Sequence, residues 1–220
     1  MKKLALPLIM LSGLAQAQDI SFNEVSISYL KGDQDPAAHP TVPAGADRFA
    51  ADVSPRQQQL EGGVVKLKAE VSELFYVVAG YSDSKMDYSH RGYESEWTFQ
   101  DASLGLGVHT PLTQDVPDTA LFFEARVNQL SYEFEDNAGS KNEDDKIGQT
   151  LTLGLVMAPF SALEVRPALS RLSRVDALSS TEFELGFLLR PIESVGVTLN
   201  LAEKVDLDQR RYEVGVVYKF

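Results

Sequence analysis

The sequence predicts an all-β fold, an up-and-down antiparallel transmembrane β-barrel of about ten strands, with eight as the alternative. Three observations predict it. Apolar and polar residues alternate with period two along most of the 220-residue chain, which sends successive side chains to opposite faces of a strand. After the first residues no apolar run approaches the ~20 residues of a spanning helix, so a membrane could be crossed only by strands. Turn-forming and polar segments separate the alternating stretches in a rough long-short order.

The chain opens with MKKLALPLIMLSGLAQAQ: Lys2 and Lys3, an apolar run from Leu4 to Leu14, then the small-residue site Ala15-Gln16-Ala17. This is the pattern of a secretory signal peptide. Cleavage is expected after Ala17, leaving residues 18–220, from Gln18, as a single barrel domain. Loss of Lys2 and Lys3 takes the formal charge from -12 to -14. Such acidity, with no basic patch, argues against nucleic acid, whose affinity rests on Lys and Arg against phosphate. The chain has no Cys, so neither disulfides nor thiolate chemistry contribute.

Ten stretches carry the strand signal: Phe22–Leu30, Val65–Val71, Leu74–Tyr81, Ala102–Val108, Leu121–Val127, Leu151–Met157, Leu163–Leu169, Phe183–Leu189, Val195–Leu201 and Tyr212–Phe220. In one, Leu121, Phe123, Ala125 and Val127 alternate with Phe122, Glu124, Arg126 and Asn128. With their ends included, these reach the ~9 to 11 residues of a strand that crosses a bilayer. An even number brings both termini to one side.

If the first strand runs outward, connections should be long outside and short inside. The long ones are Gly32–Gln59, Ser82–Glu94 and the acidic Glu135–Lys146; Asp176–Ser180 and Asp206–Gln209 are shorter. The inner turns fall near Ser72 and Glu73, at Thr110–Asp118, at Pro159–Ser161 and at Pro191–Ser194.

Alternation does not say which face meets the apolar medium. A soluble barrel would turn its apolar face inward around a hydrophobic ligand. Charges of both signs on the polar faces, Lys66, Glu70, Glu124, Arg126, Glu164, Arg166, Glu184, Arg211 and Glu213, suit a lumen in which they neutralise one another. Aromatics near strand ends suit two interfacial girdles: Tyr29, Tyr81, Tyr93, Trp97 and Tyr132 outside, and Phe22, Phe160, Tyr218 and Phe220 inside.

The chain ends RRYEVGVVYKF, with Tyr212, Val214, Val216, Tyr218 and Phe220 on one face. This resembles the last strand of small Gram-negative outer-membrane β-barrels, and LFYVVAGYSD (Leu74–Asp83) and LGLGVHTPL (Leu104–Leu112) resemble the repeated hairpin strands of OmpA-type and related proteobacterial barrel proteins. The resemblance implies that the terminal strand and its aromatic end form the signal read by the barrel-assembly machinery. It also implies residence in the outer membrane among its lipids, as a monomer. The role expected is structural or surface-interacting, or at most that of a narrow pore; a soluble periplasmic carrier of a hydrophobic ligand is the alternative.

Chemistry leaves few traces. His39, His90 and His109 lie in or beside predicted connections without metal-ligand spacing, and read as surface histidines. Asp87, Ser89 and His90 could suggest a lipid-modifying enzyme, but adjacent residues of an extended segment point apart. The run Glu133, Glu135, Asp136, Glu143, Asp144 and Asp145 lacks an EF-hand pattern and reads as a solvated loop. Gly105, Gly107, Gly154, Gly186, Gly196 and Gly215 lie within strands, where glycine permits bends or close packing. No catalytic, cofactor or metal residue is assigned.

Overall fold

A computed structural model describes residues 20–34, 58–90, 93–112, 118–136, 139, 141–174, 179–205 and 209–220. The expected signal peptide, 1–17, and residues 35–57 of the first long connection, with His39, lie outside the described residues.

Ten strands follow in chain order: β1 (Glu24–Gln34), β2 (Gln58–Glu70), β3 (Phe75–His90), β4 (Tyr93–Pro111), β5 (Thr119–Asp136), β6 (Lys141–Phe160), β7 (Leu163–Arg174), β8 (Ser180–Ile192), β9 (Val195–Lys204) and β10 (Gln209–Lys219). Each pairs antiparallel with its chain neighbours, and β1 pairs with β10 from Glu24↔Lys219 to Gly32↔Arg211, closing the barrel. Closure leaves no edge with unpaired N–H and C=O groups, the condition for burying strands in lipid. The end that carries Glu24, Lys219 and the turns after β2, β4, β6 and β8 is called the inner end.

Side chains that meet between non-neighbouring strands identify the inner face, because only inward groups can span a closed sheet. Lys68 of β2 reaches Glu124 of β5, and Arg166 of β7 reaches Glu24 of β1. The alternate positions point out and are apolar: Leu104 and Leu106 on β4 are 63% and 61% exposed, and Val127 on β5 is 58% exposed. With Leu153, Leu169, Phe183, Val197 and Val216 they belong to an exposed apolar band running round the sheet. Towards the outer end the outward positions turn charged, as at Lys31, Glu61, Lys85, Glu96, Glu203 and Arg210. A soluble carrier would need the reverse arrangement.

Two expected outer loops are strand instead. Most of Ser82–Glu94 extends β3 and β4, with Met86 opposite Trp97, and only residues 91–92 separate the two strands. Likewise Glu135 and Asp136 belong to β5 and Lys141–Lys146 to β6, with Glu133 opposite Glu143. Strands β3 to β6 therefore run 16 to 20 residues while the other six run 10 to 13. Above the apolar band the outward face is polar, so the period-two contrast fades although pairing continues. At the inner end, register shifts between Met157 and Phe160 and between Leu189 and Ile192 coincide with Pro159 and Pro191, which have no N–H for a ladder.

Candidate functional site: the barrel lumen

The lumen's inner end is occupied in two halves. On the side of β1, β7, β8 and β10, Glu164 is fully buried and receives Arg166 at 2.6 Å, Arg190 at 2.9 Å and Lys219 at 2.6 Å. Arg166 also forks onto both oxygens of Glu24, at 2.7 and 2.8 Å. A buried charge is tolerable only when partnered in this way. The network ties together four strands of the inner wall.

The other half is aromatic. Phe22, just before β1, is buried against Tyr76, Val78, Phe122, Val156 and Ala168. Its ring stacks on Tyr76 at 4.6 Å and on His109 at 4.5 Å, and meets Phe122 edge-on at 6.0 Å. The Lys68 ammonium lies 5.1 to 5.5 Å from the ring centres of Phe22, Tyr76 and Phe122, within cation–π range, and bonds Glu124 at 2.6 Å. The Tyr76 hydroxyl donates to the same carboxylate at 2.9 Å. Two inward glycines make room: a Cβ at Gly107 would fall within the Tyr76 ring, and one at Gly154 would strike Phe122.

Between the ends lies a polar cavity of about 180 Å³, whose lining includes Lys66, Asp101, Arg126, Glu184, Arg211 and Glu213. Glu213 accepts Lys66 at 2.8 Å and lies 3.2 Å from Arg211, which also reaches Glu182 at 2.9 Å.

All nine charges expected in the lumen thus stand at inward positions, but they do not form one cluster. Lys66, Arg211, Glu213 and Glu184 surround the central cavity with Arg126, which reaches Thr152 at 3.4 Å. Glu124 joins the aromatic half, and Glu164 and Arg166 join the charged half. Glu70 binds the N-terminal segment: it accepts the Phe22 N–H at 2.7 Å and the Asn23 amide at 3.0 Å. Lys68, Glu182, Arg190 and Lys219 were missed, although each shares the parity of a named charge on its own strand, and Glu24 was missed on β1, where no charge was named. The better unread signal was aromatic: Phe122 stands on the polar side of its strand, between Ala120 and Glu124 at inward positions.

Three girdle assignments are corrected. Phe22, Trp97 and Tyr132 are buried inside the sheet. The latter two join Met86, Phe99, Leu130 and Phe134 in an apolar cluster on the tall β3–β5 wall. Tyr29, Tyr81, Phe160, Tyr218 and Phe220 face outward and are exposed, while the Tyr93 side chain lies outside the described residues. His109 is likewise no surface residue, since its ring packs on Phe22 with Nε2 3.8 Å from Glu70. The side chains of Ser89, His90 and Asp136 are outside those described. In the remaining acidic run Glu133 pairs with Lys141, and Asp144 accepts the Tyr132 hydroxyl at 2.5 Å and lies 3.0 Å from Lys146. Among the described residues no acidic or histidine group is arranged to hold a metal ion.

The translocator domain of the autotransporter NalP from Neisseria meningitidis superposes with a TM-score of 0.51 and 10% identity, over 98% of this chain and 95% of that one. The fold is that of a Gram-negative outer-membrane β-barrel. The transport unit of the autotransporter AIDA-I from Escherichia coli gives 0.49 at 10% identity, over 98% and 97% of the two chains. The NanC porin gives 0.47 at 9% identity, over 88% and 100%. No family model matches the sequence, and no curated protein matches it.

Proposed function

We propose that this chain is a monomeric, non-enzymatic barrel of the outer membrane, held among its lipids by the apolar band. Its role is structural or surface-interacting, with a lumen that is at most a narrow pore. One observation carries the reading: the closed sheet is apolar on its exposed outside while ion pairs cross its inside. Water on both faces would leave that band as exposed apolar surface far larger than a soluble monomer keeps. Lipid removes the conflict.

The tall β3–β6 wall carries polar side chains beyond the band and is the surface offered to the exterior. Tyr212, Val214, Val216, Tyr218 and Phe220 face out along the closing strand, as the assembly-signal role requires. Fractionation tests the reading: the protein should stay with the envelope through osmotic shock and leave only with detergent. Release by shock in folded form would replace it with a periplasmic protein.

A further inference from the structure

We propose that the barrel contains a gated path for small hydrated ions, and that residues 20–23 at the chain's inner end are its stopper. The inference rests on the outer-membrane reading and adds an activity to it.

The segment is seated by its own contacts. Glu70 receives the Phe22 N–H at 2.7 Å and the Asn23 side-chain amide at 3.0 Å, and the Glu70 N–H returns a bond to the Asn23 side-chain carbonyl at 2.8 Å. On the other flank, Lys219 donates to the Ser21 carbonyl at 3.2 Å. Ile20 packs on the same cluster as Phe22. Between these ties Phe22 reaches into the lumen, and the wall is shaped to receive it: Gly107 and Gly154 spare the space that the Tyr76 and Phe122 rings occupy around it.

The position is what gives the stopper its effect. The Glu24–Glu164–Arg166–Arg190–Lys219 network fills one half of the inner mouth with groups on the barrel wall. In the other half the wall residues Tyr76, Phe122 and Lys68 close around Phe22, which precedes β1 and belongs to no strand. Withdrawal of residues 20–23 leaves every strand pair from Glu24 onward in place and costs one backbone bond, from the Phe220 N–H to the Asn23 carbonyl at 3.2 Å. It joins the inner mouth to the central cavity, whose charged lining of both signs offers hydrated cations and anions alike a polar surface.

The test is ion flux through liposomes holding the purified barrel. Phe22→Ala should raise flux severalfold over the wild type while the protein stays folded and detergent-extractable. A folded, inserted Phe22→Ala barrel as tight as the wild type overturns the stopper, as does a wild type that already leaks as much. Because the chain has no Cys, Asn23→Cys with Glu70→Cys gives a switchable version that does not depend on the Phe22 variant folding. Joined by oxidation or by a short bifunctional thiol reagent, it should be tight, and cleavage of the link should open it. Flux indifferent to the link, or two cysteines that never join, overturns the proposal. Release of the wild type by osmotic shock would instead sink the outer-membrane reading on which the proposal stands.

Discussion

Leu153 points outward from the middle of β6 and is exposed, whereas Thr152 points inward and shares a hydrogen bond with Ser170 at 2.8 Å. A charge at the first position meets the apolar band, so Leu153→Arg should cost ~2 to 4 kcal/mol of folding in lipid vesicles. Ser82→Lys, which places its charge in the central cavity beside Asp101, should cost much less; equal losses would contradict the assigned faces. Glu164→Ala should be worse than any exposed ion-pair change. It strips Arg166, Arg190 and Lys219 of a shared buried carboxylate, a loss of ~3 to 5 kcal/mol, while Glu96→Ala on the exposed Lys85 pair should cost ~1 or less. Urea titration of the two variants in micelles checks the order. Trp97 offers a third test because it is the one tryptophan of the sequence. Buried on the inner face, it should resist quenching by brominated lipids, whereas a tryptophan placed at outward Tyr81 in a Trp97→Phe background should be quenched; strong quenching of Trp97 would restore it to the girdle. The sequence showed that residues such as Trp97 and Phe22 stand near strand ends. It could not show that their faces are inward, because parity is read against an apolar-polar contrast that is lost where both faces are mixed.

At the scale of the element, the strands are legible where lipid would enforce alternation and illegible where water reaches the outer face. Val65–Val71 and Leu121–Val127 fall within β2 and β5 apart from Val71, which lies one residue past β2. Ser82–Glu94 gives no such pattern, since Asp83, Lys85 and Asp87 point out while Ser84 and Met86 point in. Backbone pairing there is held by its ladder and by the inward aromatic cluster, neither of which is a period-two hydrophobic signal. The last strand allows a sharper expectation. Phe220 follows β10, its N–H donates to the Asn23 carbonyl at 3.2 Å, and its exposed ring stacks on Tyr218 at 6.4 Å. If the closing strand and this ring are the signal read by the assembly machinery, deletion of Phe220 should leave export intact, because the expected signal peptide is untouched. The variant should be processed, yet depleted from the outer membrane and degraded. Normal amounts of folded, soluble periplasmic protein would remove the assembly role from this residue.

The whole molecule depends on two conditions met together: a sheet that closes on itself and an interior that fills. Strand number and connection order were legible because each strand repeats the same alternation. The filling was not, because it depends on pairs distant in the chain, such as Arg166 with Glu24 and Lys66 with Glu213, 142 and 147 residues apart. A barrel of eight strands has an interior just wide enough for side chains to fill, and two more strands widen it only modestly. The added room is occupied at the inner end by the ion-pair network and the Phe22 cluster, which leave a central cavity of about 180 Å³. A cavity of that size is room for a small group of waters rather than an open channel. Wild-type protein in planar bilayers should therefore show little or no steady conductance. Such steps as occur should be brief, because each requires the packed inner end to part. Large, long-lived steps of the porin kind would mean that the inner end does not stay packed in a membrane, and the lumen would then have to be redrawn as a permanent channel.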